Sequence, residues 1–135
     1  VGGDICVLGE SFDGEPSWLI GIEDPESPSG HLGRIALQQG GVATSGTTIR
    51  RWTTPSGESA HHLIDPKTAL PASTSLLTAT IIAGDTATAE VFATAAMMGD
   101  GPSAVAMLER VGLAGFMVGT DLTVYTTKTL EAFQA

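Results

Sequence analysis

Between Ser73 and Val111 the hydrophobic pattern changes period once, and that change constrains the fold more than any other feature of the chain. Ser73–Ala83 sets Leu76, Leu77, Ile81 and Ile82 among threonines, the longest strand pattern in the sequence, and Gly84-Asp85 ends it. From there the spacing becomes helical: Ala87, Val91, Thr94, Ala95 and Met98 recur at about 3.6 residues through Thr86–Met98, with Asp85 as N-cap and Gly99 as stop. A second helix is expected over Ser103–Val111, with Ala104, Met107, Leu108 and Val111 on one face. A strand that feeds two consecutive helices must lay them back on its own sheet to bury their apolar faces.

The remaining segments supply that sheet. Asp4–Gly9, Trp18–Ile22, Arg34–Gln38, Gly41–Ser45 and Thr48–Thr53 read as strands before the switch. Gly112–Gly119 and Leu122–Thr126 read as strands after it. Glu23–Gly30 reads as a Pro/Ser-rich loop, Pro55-Ser56-Gly57 as a turn closing a hairpin toward His62, and Thr127–Ala135 has no clear pattern. The expected fold is therefore α+β: a mixed, largely antiparallel sheet with two consecutive helices packed on one face. With 135 residues and 42% apolar content, and no linker to split it, residues 1–135 form a single domain.

Fifteen acidic residues against six basic ones give a formal net charge of −9, which repels a phosphate backbone and argues against nucleic acid as partner. A phosphorylated small molecule stays possible if a cation or clustered N–H groups offset that charge. Cys6 is the only cysteine, so neither an internal disulfide nor a Cys-rich metal site can form, and the compartment stays open. No apolar run approaches membrane-span length. The start Val1-Gly2-Gly3-Asp4 lacks a signal-peptide pattern and an initiator Met, as in a fragment or processed product.

Three clusters carry possible chemistry. In Ser59–Pro71 (SAHHLIDPKTALP) two histidines precede an aspartate and a lysine. A histidine can remove a hydroxyl proton near neutral pH and an aspartate three residues on can orient it or bind a ribose or metal, although the spacing equally fits a structural histidine beside an Asp-Pro turn. In the first helix Glu90 and Thr94 lie at i and i+4, hard oxygens one turn apart that suit Mg²⁺ better than Zn²⁺. The same pair also fits a solvated glutamate and a threonine bonded back to a carbonyl. Gly40–Gly46 (GGVATSG) lets backbone approach a ligand closely, or simply turns sharply; it is neither a P-loop nor a dinucleotide fingerprint.

In order along the chain, GGDI at Gly2–Ile5, WLIGIEDP at Trp18–Pro25, GVATSG at Gly41–Gly46, HLIDPKT at His62–Thr68 and IIAGDTATAEVFATA at Ile81–Ala95 resemble the C-terminal half of the ApbE family. The resemblance implies an enzyme that binds FAD, uses Mg²⁺ on the pyrophosphate and transfers FMN to a threonine hydroxyl of an acceptor protein, releasing AMP. It also allows an FAD pyrophosphatase, with water as acceptor, or a flavin- or nucleotide-binding module without transfer activity. By resemblance His62 is the general base. Asp65 shapes the nucleotide site or holds the acceptor segment. Thr44, Ser45 and Gly46 lie against the flavin nucleotide, joined in cofactor binding by His62 and Asp65. Glu90 and Thr94 are the metal ligands.

Some residues depart from the family pattern. Glu90 stands where an aspartate is usual, one methylene longer than a near-octahedral Mg²⁺ site expects. Ala69 stands where glycine commonly follows the threonine, a replacement expected to close a φ > 0 conformation there. Thr47-Thr48-Ile49 replace polar and aromatic residues, with Arg50 left to keep a basic function. The family's N-terminal half, with a lysine-glycine segment against the flavin and a backbone oxygen ligand to the metal, is expected to come from elsewhere in a longer polypeptide or from another chain. The 135 residues alone are expected to be inactive.

Overall fold

A computed structural model describes residues 3–135, so Val1, and Gly2 of the GGDI segment, lie outside the described residues. Strands β1 (Ile5–Leu8), β4 (Gln39–Gly46), β9 (Leu76–Ala83), β10 (Ala114–Gly119) and β11 (Val124–Thr126) hydrogen-bond in that order into one five-stranded sheet. Every pairing in it is antiparallel. The architecture is α+β, with helices α1 (Thr86–Ala96) and α2 (Gly101–Val111) on one face of the sheet. The central strand β9 carries the β-branched and apolar residues that suit a strand covered on both sides.

Period-two alternation sorts the strands' side chains between two cores. On the helix side Ala43, Ala79, Ile81, Ala83 and Met117 meet Ala89, Ala93, Ala96 and Met97 of the first helix and its C-cap, with Ala104 and Leu108 of the second. The buried face of α1 therefore runs through Ala89, Ala93 and Ala96, whereas Ala87 and Val91 are exposed, a correction to the face expected from spacing. In a helix this rich in alanine and threonine the small side chains hardly mark a face. Methyl-sized contacts let α1 lie close on the sheet, and a Cβ added to Gly41 would strike the backbone of Asp85 and Thr86.

On the other face Val7, Val42, Ile82, Ala114, Phe116 and Val118 pack against Ile22, Ile35 and Leu37. Those three belong to a hairpin of β2 (Trp18–Asp24) and β3 (Ser27–Leu37). The Glu23–Gly30 segment, expected as a loop, is mostly strand: the turn narrows to Pro25-Glu26, where Asp24 Oδ1 accepts the Glu26 N–H at 2.9 Å. The C-terminal tail forms a 3₁₀ turn over Lys128–Phe133 that seats Leu130 in this second core.

Both helices are N-capped as their sequences dictate, whereas α1 ends at Ala96 with Met97 as its C-cap, short of the Met98 end and Gly99 stop expected from spacing. Asp85 accepts from the N–H and hydroxyl of Thr88, each at 2.8 Å, and Asp100 from the Ser103 N–H at 2.8 Å, while Gly112 ends α2 at φ 72°. The second helix starts two residues before the expected Ser103, because Pro102 fits the first turn, where its missing N–H is no loss. The Thr88 N–H bond, then the Thr88 hydroxyl, holds the Asp85 carboxyl below its ordinary range. Its capping contribution is thus present above the usual carboxylate pKa and fades as pH falls through the lowered value.

Candidate functional site

Ser45 and Thr44 are neighbours in β4, so they point to opposite sides of the sheet. Ser45, 7% exposed, faces α1, where its Oγ lies 3.1 Å from Thr94 Oγ1. Thr94 Oγ1 in turn donates to Glu90 Oε1 at 3.4 Å, one helical turn back. Three oxygens from two rigid elements thus converge where β4 and α1 touch. Thr44 instead pairs with Thr80 across β9, the two hydroxyls 2.9 Å apart on the hairpin side. Gly46 closes β4 opposite Thr78, and a Cβ there would press on the Leu77 carbonyl at 3.1 Å.

The histidine segment is built differently. Strands β5 (Arg51–Thr53) and β6 (Ser59–His61) form the expected hairpin, shorter on its first strand than Thr48–Thr53. A two-residue pair, β7 (Ile64–Asp65) with β8 (Leu70–Pro71), follows. His61 turns inward: its Nε2 lies 3.1 Å from the Ala72 carbonyl, so Nε2 carries the proton, and Nδ1 is buried without a partner. The Ala72 N–H also donates to the Leu63 carbonyl at 2.9 Å, closing the base of the loop. His62 is exposed at the loop's start, its N–H donating to the Arg50 carbonyl at 3.3 Å. The adjacent histidines therefore divide the work, one anchoring and one presented to solvent. No motif marks His61 in the sequence; its place at the end of a strand that enters the turn was the available signal, since alternation sends neighbours to opposite sides.

Asp65 shapes the turn: its Oδ1 accepts the Lys67 N–H at 2.8 Å, and its carbonyl accepts the Ala69 N–H at 2.8 Å. That turn puts Ala69 at φ 58°, so alanine does not close the left-handed conformation but occupies it. Nearby, Arg50 and Ile49 are exposed and Thr47 is buried, its N–H donating to the Leu77 carbonyl at 2.9 Å.

The fold thus brings Ser45, Glu90 and Thr94 together, sets Thr44 behind the sheet, and presents His62 and Asp65 on a separate loop. The donor set of the first group, a carboxylate and two hydroxyls, fits a hard cation such as Mg²⁺ and supplies part of its shell. Among the described residues no three His, Cys, Asp or Glu side chains gather to hold a metal, so further ligands would have to come from a bound phosphate, water or other residues.

Comparison with known proteins gives a consistent picture. The sequence model of the ApbE family matches residues 1–117. A Haemophilus influenzae protein named FAD:protein FMN transferase is 29% identical over 136 residues, covering 99% of this chain and 39% of its own length. Its Salmonella typhimurium counterpart is 31% identical over 119 residues, covering 87% and 33%. The crystal structure of the ApbE protein from Thermotoga maritima superposes with a TM-score of 0.87 at 31% identity, over 99% of this chain and 43% of that one. Flavin transferase ApbE from Vibrio cholerae gives 0.78 at 28% identity, over 98% and 42%. The chain therefore spans about two fifths or less of the length of these curated relatives.

Proposed function

This chain belongs to the ApbE family, and on that premise we propose that it contributes the metal-holding and proton-accepting residues of an FAD:protein FMN transferase. The reaction moves FMN from FAD to a threonine hydroxyl of an acceptor protein and releases AMP. The Glu90–Thr94 pair, with Ser45 behind it, is the observation that supports this reading most. In a domain of net charge −9, such an oxygen cluster on a sheet-backed helix suits a cation better than a bare anion.

In the transfer a bond forms from the threonine Oγ to the FMN phosphorus while the anhydride bond to the AMP oxygen breaks. The hydroxyl proton must leave, and His62, exposed at the end of β6, accepts it on a ring nitrogen. Asp65 holds the turn after His62 and with it the nucleotide or acceptor side of the site. Mg²⁺ held by Glu90 and Thr94 would neutralise charge on the pyrophosphate oxygens. Gly46, next to Ser45 at the end of β4, would meet the nucleotide through its backbone; Thr44, bonded to Thr80 on the other face, has no part in this reading.

The test uses the full-length protein with FAD, Mg²⁺ and a threonine-bearing acceptor. Covalent FMN and free AMP are expected in equal amounts. AMP without flavinylated acceptor makes water the acceptor and the protein an FAD pyrophosphatase. FAD retained with neither product overturns the enzymatic reading in favour of a binding module.

A further inference from the structure

The hydroxyl of Ser45 is buried inside the sheet–helix contact, where the resemblance alone would have it face the flavin. We propose that Ser45 is a positioning residue for Thr94, setting which way the Thr94 hydroxyl proton points and so how well Glu90 and Thr94 hold a divalent cation. This rests on the metal reading above and extends it to a residue outside the ligand pair.

The Glu90 carboxylate can only accept, so the Thr94 proton goes to Glu90 Oε1 and the Ser45 proton to Thr94 Oγ1. A threonine in a helix otherwise tends to turn its hydroxyl back to the carbonyl four residues earlier. Ser45, fixed in the strand below, holds Thr94 Oγ1 beside the carboxylate instead. When a cation takes the Glu90 oxygens and a lone pair of Thr94, the Thr94 proton needs a new acceptor. Ser45 Oγ, 3.1 Å away on the strand position paired with the fully buried Ala79, can accept it once its own hydroxyl proton rotates out of that bond toward water or a bound phosphate oxygen. Without that acceptor the Thr94 oxygen keeps its proton directed at Glu90 and competes with the metal for the carboxylate.

The experiment measures Mn²⁺ affinity of the full-length protein by electron paramagnetic resonance, with FAD affinity in EDTA read separately by fluorescence. Ser45→Ala should weaken Mn²⁺ binding about tenfold, the scale on which groups orienting a metal ligand act, with metal-free FAD binding unchanged. Ser45→Cys, which keeps the volume but accepts poorly, should do the same and serves if the alanine variant unfolds. Wild-type Mn²⁺ affinity in both variants, with loss in Glu90→Ala, overturns the role of Ser45 and leaves the metal reading standing. Loss of metal-free FAD binding with Mn²⁺ affinity intact overturns it in favour of a flavin contact. Indifference of Mn²⁺ binding to Glu90→Ala overturns both.

Discussion

The two halves of the candidate site are held by different means. Ser45, Glu90 and Thr94 sit on an eight-residue strand and an eleven-residue helix, against a core of alanines and Met97 that is almost wholly buried. His62 sits between strands of three and two residues and Asp65 ends the second, on a segment tied down by the His61–Ala72 and Leu63–Ala72 bonds and carrying the exposed Ile64 and Leu70. A cation site needs fixed oxygens, and packing provides them. The base proposed at His62 would need access to an incoming hydroxyl, and a short loop provides that at the expense of local stability.

The largest effect should come from the exposed half. His62→Ala is expected to lower FMN transfer by about 10²–10⁴-fold, the usual contribution of a positioned base, with thermal stability and FAD affinity nearly unchanged because the ring is exposed. Kinetics beside a binding titration check this. Equal loss of transfer and FAD affinity would make His62 a structural or nucleotide-contact residue and erase the contrast with His61.

Gly41→Ala strikes the packed half. Its Cβ would run into the backbone where α1 begins, and backbone cannot rotate away as a side chain can. Overpacking of this kind costs about 3 kcal/mol, and urea unfolding should show it as a lower midpoint with unchanged slope. A midpoint within error of wild type would mean that α1 rides loosely on β4 and that the difference between the halves is smaller than their burial suggests.

How far the sequence exposes this arrangement follows the same division. Asp85 as cap, the strand-to-helix switch and the hairpin leading to His62 are local signals, and each is found where local chemistry put it. The buried face of α1 was not legible, because Ala89, Ala93 and Ala96 differ too little from Ala87 and Ala95 for periodicity to choose among them. The length of β3 was hidden by Ser27-Pro28-Ser29-Gly30, turn-forming residues that the strand carries through a register shift between the Asp24–Ser27 and Glu23–His31 pairs. That Thr44 and Ser45 part company was legible in principle from strand alternation. What each meets on its side, Thr80 or Thr94, depends on register and helix placement, which no local pattern carries.

The smallest effect is the most direct measure of how separately the two halves behave. Ala69 holds φ 58° in the turn after Asp65, a conformation that costs a residue with a Cβ about 1 kcal/mol more than glycine. Ala69→Gly should return that energy to the native loop. If the loop opens on its own, the gain stays local: the amides of Lys67 and Leu70, bonded to the Asp65 and Thr68 side chains, exchange about fivefold more slowly while the melting temperature hardly moves. Hydrogen exchange and a thermal melt on the same sample decide the matter. If the melting temperature instead rises by about 3 °C, the loop melts together with the sheet. The base and the cation oxygens would then belong to one cooperative unit, and the exposure of His62 would reflect its position on the surface alone.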